Sequence, residues 1–223
     1  MAAPPPPPPA PAPASAAAAP ASAAERPPAV HIGGELAADG LVDAHRAASR
    51  RWEGKTTLGD LLVFAVSRTL GEVPELNGSA VGTAPRTVDL ALALPGPSGT
   101  VWPVVRQADT LDLPSLAAER ERLTQLAESG SLADADTAGA SSSFSNLGSY
   151  PVDLHVPAEA GPQILRITVG RVLEKPISFQ RMLTIRPRAW FSLAIDGRAA
   201  DAEAGGRFLA VLQRRLNELS DSI

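Results

Sequence analysis

The sequence predicts a mixed α/β domain that follows a tail rich in proline and alanine. Two stretches, 58–70 and 113–129, carry apolar residues at helical spacing, and short runs rich in β-branched residues lie between and after them. The chain has 223 residues, of which 44% are hydrophobic, and this is enough for one domain with a substantial core. We therefore expect a single folded domain over residues 29–223.

The tail covers residues 1–28 and consists almost entirely of proline, alanine and serine. Such a segment has little to bury, and its prolines favour the extended polyproline conformation, so we expect a disordered, linker-like tether. The proline run at 4–9 is also the kind of sequence that polyproline-binding modules recognise. A spacer is the commoner role of such tails, and we favour it.

Composition excludes several classes of function. The chain has no cysteine, which rules out disulfides and thiolate sites, and its three histidines are scattered, which argues against a metal centre. A net charge of −4 without a basic cluster argues against nucleic acid as a partner. The sequence shows neither an apolar run long enough for a membrane span nor a secretory signal, so we expect a cytoplasmic protein.

The first elements are a short strand at 30–36 and a helix whose apolar stripe ends before Gly54. Asp39 is placed to cap this helix. His45 lies on the stripe, and we expect it to be a half-buried structural residue because no second ligand type stands beside it. The helix that begins near Leu58 must end at Pro74.

Two strands are then predicted at 87–94 and 100–105, around the turn PGPSG. Asp112 and Gly130 should cap and end the following helix. Three β-rich runs come next, and they lead to a strand-to-helix corner within 193–209. A closing helix with regularly spaced leucines follows that corner.

Three segments of this sequence occur in an order that is typical of one known family. The segments TLGDLLVFAVSRTLGEVPELNGS, VDLALALPGPSGTVWPVVRQAD and FSNLG resemble the catalytic domain of the dihydrolipoamide acyltransferases, the core subunits of 2-oxoacid dehydrogenase complexes. The resemblance covers 30–219. It implies a chloramphenicol acetyltransferase-like two-layer sandwich on a mixed β-sheet, usually assembled as a trimer with active sites in channels between subunits.

The same resemblance implies the substrates and partners. Coenzyme A or acyl-coenzyme A would enter the channel from one side, and an acyl carrier, a lipoyl arm in the complexes, from the other. No lipoyl domain precedes the predicted domain, and the family's opening helix, rich in arginine and methionine, is missing before His31. We therefore do not expect self-contained lipoyl shuttling, and we expect a homotrimer or a mixed oligomer with related subunits.

Acyl transfer needs a base for the acceptor proton and a donor for the oxyanion of the tetrahedral intermediate. In the family, a serine or threonine just before an Asn-x-Gly turn is the donor, and this position is Ser145. Without the resemblance, the serine-rich stretch before Asn146 and Gly148 would be ordinary turn chemistry. His155 follows in a segment that varies within the family, and we expect it in a surface loop away from the acceptor.

The family's base is a histidine in a motif at the strand-to-helix corner. Asp196, Arg198 and Asp201 match that motif, whereas Gly197 stands in the position of the histidine and Ala202 in that of a glycine. We expect Arg198 and Asp201 to form a charge-assisted pair that supports the corner. Loss of a general base costs about two to four decades of rate, so standard catalysis is not expected.

Three hypotheses remain open. The first is acyl transfer by a non-standard route, with Ser145 as donor and a base from elsewhere, such as Asp196 or Glu203. The second is a catalytically silent paralogue that assembles with an acyltransferase or dehydrogenase complex, in which a competent subunit would supply the base. The third is reuse of the channel for different chemistry on an acyl ligand.

Overall fold

The computed structural model describes residues 29–78, 85–157, 162–179 and 181–223. The predicted tail, 1–28, lies outside the described residues. In the described part, helices and strands alternate as expected for a mixed α/β domain. The helices are α1 (Asp39–Arg51), α2 (Leu58–Glu72), α3 (Leu113–Ser129), α4 (Asp134–Thr137) and α5 (Ala202–Asn217), with short 3₁₀ segments at Pro74–Leu76 and Leu219–Ser222.

Local capping explains where the two central helices begin and end. Thr57 and Asp60 form a reciprocal capping box at the start of α2, with the Asp60 carboxylate accepting from the Thr57 backbone N–H at 2.7 Å. The predicted ends of α3 are confirmed: Asp112 accepts from the Ser115 N–H at 2.9 Å, and Gly130 takes the left-handed conformation.

The predicted cap of α1 is wrong. Ala38 precedes the helix, and Asp39 is its first residue, without a side-chain hydrogen bond to the helix backbone. The Asp39 carboxylate instead accepts from Arg186 at 3.0 Å. Asp39 therefore forms an ion pair with Arg186 of β9 and does not cap α1. His45, by contrast, is half-buried on α1, as predicted.

The main sheet has seven strands in the order β1-β9-β7-β6-β2-β5, with β8 also paired to β9. The neighbours β2, β6 and β7 run parallel, and the other pairs are antiparallel, so the predicted mixed sheet is confirmed. The strands are β1 (Ala29–Ala37), β2 (Leu90–Leu92), β3 (Leu94–Gly96), β4 (Gly99–Val101), β5 (Val104–Val105), β6 (Ser142–Asn146), β7 (Leu165–Val169), β8 (Leu173–Phe179) and β9 (Met182–Asp196).

Two predicted strands are therefore split into four. The segments 87–94 and 100–105 each supply one short strand to the main sheet, β2 and β5, and one to a separate hairpin, β3 and β4. Gly99, with φ of 127°, makes the hairpin turn. The β propensity of each segment is continuous and does not reveal where the strand divides. The point of division depends on which neighbouring strand each half pairs with.

The two faces of the sheet differ in composition. Leu165, Ile167 and Val169 of β7 join the core shared with the helices. Since side chains alternate along a strand, Arg166 and Thr168 lie on the other face. The helices thus cover one face of the sheet, and the predicted two-layer architecture is confirmed. No helix among the described residues is long and apolar enough to span a membrane.

Candidate functional site

A pocket of about 630 Å³ lies where β6 and β7 approach the first turn of α2 and the β3–β4 hairpin. Strands β6 and β7 contribute residues of both sheet faces to its lining, and α2, α3, the hairpin and the loop after β6 supply the rest. Lining side chains that bear on its chemistry are Ser145, Thr168, His155, Arg120, Arg166 and Tyr150.

Ser145 is half-buried near the end of β6, where it lines the pocket. It pairs in register with Thr168 of β7, so the sheet fixes its backbone. The strand ends one residue later, because the Asn146 side chain accepts from the Gly148 N–H at 2.8 Å and turns the chain. Among the described residues the Ser145 hydroxyl bonds to no other protein group, so it can donate to a ligand.

The strand-to-helix corner is built by two separate contacts. The Arg198 guanidinium donates to both carboxylate oxygens of Asp196, at 3.1 and 2.8 Å. Asp201 accepts from the Ala204 N–H at 2.9 Å and caps α5. The expected pair between Arg198 and Asp201 is therefore wrong: the unpaired N–H groups of the helix start bind Asp201, and Arg198 turns back onto the strand end.

Gly197 is exposed at the first position of the turn after β9. Its neighbour Asp196 is buried, and the hydrogen bonds from Arg198 lower the pKa of the Asp196 carboxyl despite the opposing effect of burial. A carboxylate held as an anion in this way is a weak proton acceptor. Glu203 is 81% exposed and bound to Arg207 at 2.9 Å. Neither carboxylate lines the pocket.

Ser145 and Gly197 do not meet within one chain. Ser145 lies in register with Thr168, which lies in register with Ser192 of β9. Asp196 is four residues further along β9, and Gly197 follows it. At about 3.3 Å per residue and 4.8 Å between strands, the two positions are roughly 16 Å apart or more.

His155 lies in the exposed loop after β6, as expected. It also lines the same pocket as Ser145, a proximity that nothing in the sequence indicated. The Thr168 hydroxyl donates to the His155 carbonyl at 2.6 Å and holds the loop over the floor of the pocket. Nothing in the sequence marks this contact, since Thr168 is separated from His155 by a loop of irregular sequence.

Two arginines line the pocket. Arg120 donates to the buried Asp60 at 2.7 Å, and although burial lowers the pKa of Arg120, the bonds to Asp60 outweigh it and raise the pKa. Burial lowers the pKa of Arg166. Both side chains stay charged at neutral pH, because a guanidinium titrates only at high pH. Within the described residues no cluster of histidines and carboxylates has the form of a metal site.

Comparison with protein families gives one match across most of the chain. The family described as 2-oxoacid dehydrogenases acyltransferase (catalytic domain) matches residues 16–223. The match thus begins inside the segment predicted as a tail, within 1–28.

Curated relatives have similar descriptions. The chain is 27% identical over 168 residues to the dihydrolipoyllysine-residue acetyltransferase component of the mitochondrial pyruvate dehydrogenase complex of Schizosaccharomyces pombe, covering 73% of this chain and 35% of that protein. It is 27% identical over 194 residues to the corresponding component of Rickettsia bellii, covering 84% of this chain and 46% of that protein. The chain therefore spans less than half the length of these relatives.

Solved structures share the fold. The dihydrolipoamide acetyltransferase of Azotobacter vinelandii superposes with a TM-score of 0.82 at 25% identity, covering 87% of this chain and 84% of that one. The cubic core of a pyruvate dehydrogenase multienzyme complex gives a TM-score of 0.82 at 24% identity, covering 87% and 84%. Chloramphenicol acetyltransferase, at 14% identity and a TM-score of 0.57, covers 86% and 89% and confirms the predicted fold class.

Proposed function

The chain belongs to the 2-oxoacid dehydrogenase acyltransferase family (catalytic domain), and from this premise we propose that it transfers an acyl group from a thioester to a thiol or hydroxyl acceptor. The observation that carries the proposal is the free hydroxyl of Ser145 in the pocket. Acyl-coenzyme A is the proposed acyl donor, and the acceptor is a thiol or a hydroxyl.

The pocket suits an acyl thioester. Its volume of about 630 Å³ lies within the range of small-molecule sites and admits a thioester with part of its extended arm. The apolar side chains of Leu94, Trp102 and Leu147, which are half-buried or exposed, offer contacts for such an arm. Arg166 places a guanidinium in the lining, which favours an anionic ligand and the oxyanion of acyl transfer. The charge of Arg120 is balanced by Asp60 and Glu121.

Ser145 supplies the oxyanion donor in this proposal. When the acceptor attacks the thioester carbonyl carbon, negative charge grows on the carbonyl oxygen, and the Ser145 hydroxyl donates to it. Because β6 is paired on both sides, to β2 and to β7, the donor is held in place before the reaction begins. Gly197 cannot accept a proton, so the route differs from that of a histidine at this corner.

We also propose that the protein assembles as a homotrimer or as a mixed oligomer with related subunits. Ser145 and the corner lie apart in one chain, so a site that uses both needs a second subunit. The β8–β9 hairpin exposes an apolar surface, and Leu183 is 81% exposed. A solved structure with this fold forms the cubic core of a multienzyme complex. The members of this apolar surface are Phe179, Met182, Leu183 and Ile185.

A second candidate is a catalytically silent subunit that acts as an assembly partner of an acyltransferase or dehydrogenase complex. Gly197 and the apolar hairpin surface favour it together, because one removes a proton acceptor and the other offers a docking surface. A cytoplasmic location is part of both proposals.

The experiment that tests acyl transfer uses acetyl-coenzyme A and dihydrolipoamide as probes. The wild type should bind acetyl-coenzyme A in calorimetry and acetylate the thiol. Ser145→Ala should lower kcat by about 10²- to 10³-fold, because it removes the oxyanion donor. Ser131→Ala, at an exposed serine outside the pocket, is the matched control and should leave kcat unchanged.

The outcomes separate the two candidates. A wild type that neither binds acetyl-coenzyme A nor transfers the acetyl group, yet forms a trimer or larger particle in light scattering, would contradict acyl transfer and support the assembly role. Binding without an effect of Ser145→Ala on turnover would contradict the role of the donor.

A further inference from the structure

We propose that His155 is the general base of the pocket and removes the proton of the acceptor, the task that Gly197 cannot perform. This inference rests on the proposed acyl transfer and assigns its missing proton acceptor to the same chain that carries Ser145.

The sheet places His155 beside the donor. Thr168 is only 3% exposed, and its hydroxyl binds the His155 carbonyl at 2.6 Å. Thr168 is also the strand partner of Ser145, and paired residues on neighbouring strands lie about 4.8 Å apart. One buried threonine thus ties the loop of His155 to the strand of Ser145. His155 is exposed and lines the pocket, so a ligand bound there lies within reach of this residue.

The other ionisable groups around the pocket cannot serve as a base near neutral pH. Arg120 faces the pocket from α3 and Arg166 from β7, and a guanidinium does not release its proton in proteins. Tyr150, from the same loop, carries a phenol hydroxyl, which can donate a hydrogen bond in the pocket. Asp153 of this loop is bound to Arg171 at 2.5 Å. Among the described lining residues, the imidazole of His155 is the group suited to accept a proton.

The step balances without a further reactant. The neutral imidazole of His155 takes the proton of the acceptor thiol, and the sulfur attacks the carbonyl carbon of the thioester. A new carbon–sulfur bond forms, and the Ser145 hydroxyl donates to the oxyanion. The intermediate then collapses, the bond from the carbonyl carbon to the sulfur of the acyl donor breaks, and the imidazolium returns the proton to that sulfur.

The experiment compares the wild type with His155→Ala, with acetyl-coenzyme A and dihydrolipoamide as probes. His155→Ala should lower kcat by about 10²- to 10⁴-fold while KM changes by only a few fold, because the base acts in the reaction and not in binding. The acidic limb of the pH–rate profile should disappear, and free imidazole in the buffer should restore part of the rate. His45→Ala, at a half-buried histidine of α1 that does not line the pocket, is the matched control and should leave the profile unchanged.

Each outcome decides one question. An active wild type whose kcat and pH profile survive His155→Ala would overturn the assignment of the base and leave the proposed function standing. A wild type without acyl transfer would overturn both. Circular dichroism melting of His155→Ala checks the fold, and in the wild type the imidazole NMR signals of His155 should shift when coenzyme A is added. Signals that do not move with saturating coenzyme A would count against His155 in the site.

Discussion

The pocket and the strand-to-helix corner preserve different parts of a catalytic site. The pocket presents a free hydroxyl, an imidazole and two cations around a space large enough for a ligand. The contacts of the corner lie within the corner itself: Arg198 binds Asp196, and Asp201 caps α5. A corner held by a cap and an ion pair keeps its shape whichever residue stands at Gly197, so its retained motif residues report on structure and do not by themselves indicate chemistry.

The largest effect should come from removing the buried support of the pocket. Asp60 is 0% exposed, binds Arg120 at 2.7 Å and closes the capping box of α2. Asp60→Ala removes the buried partner of Arg120 and leaves it only the exposed Glu121, and we expect the free energy of unfolding in urea to fall by about 3–5 kcal/mol. Asp112→Ala, which removes an exposed cap, is the control and should cost about 1 kcal/mol. Equal losses would mean that the pair with Arg120 adds nothing beyond capping.

A double variant tests whether corner and pocket meet in the assembled protein. The backbone at Gly197 is not left-handed, so a histidine there adopts an ordinary backbone conformation. In the oligomer we propose, His155→Ala with Gly197→His should recover at least roughly tenfold of the acyl-transfer rate lost in His155→Ala alone, because a corner from another subunit then supplies an imidazole. A double variant as slow as His155→Ala alone would show that the corner and the pocket do not form one site in the assembled protein.

A smaller effect is expected at the cap of α5. Asp201→Ala removes the acceptor of the Ala204 N–H and should lower the free energy of unfolding by about 1 kcal/mol. Asp201→Asn keeps an acceptor of similar shape and is the matched control, with little change expected. If both variants lose the same stability, the negative charge and not the hydrogen bond is what matters at the helix start.

The smallest effect concerns the pH dependence of the corner. The hydrogen bonds from Arg198 lower the pKa of Asp196 in the folded protein, so the pair stabilises fully above the pKa of an unfolded aspartate, roughly 3.9. This stabilisation is lost as the pH falls from there through the lower, folded pKa. The stability difference between wild type and Arg198→Met should therefore be largest at neutral pH and shrink below about pH 4. Urea unfolding at several pH values measures it, and a difference that grows on acidification would contradict it.

Much of the fold was accessible from sequence, because its signals are local. The boundaries of α3 follow from Asp112 and Gly130, and the end of α2 follows from Pro74. The motifs of α2, of the β2–β5 region and around Ser145 predicted the family, and the family implied the mixed sheet. The predicted pair of Arg198 and Asp201 failed because motif spacing does not say which of two nearby acceptors an arginine reaches.

The sequence by itself determined the helices, the family and the absence of a histidine at position 197, since caps, periodicity and motif words are properties of neighbouring residues. Only the tertiary structure decided that His155 stands with Ser145 and that Gly197 does not. Those relations depend on strand register, through the contacts of Thr168 with both β6 and the loop after it. Register is set by the packing of segments far apart in the chain, and it leaves no mark in the residues between them.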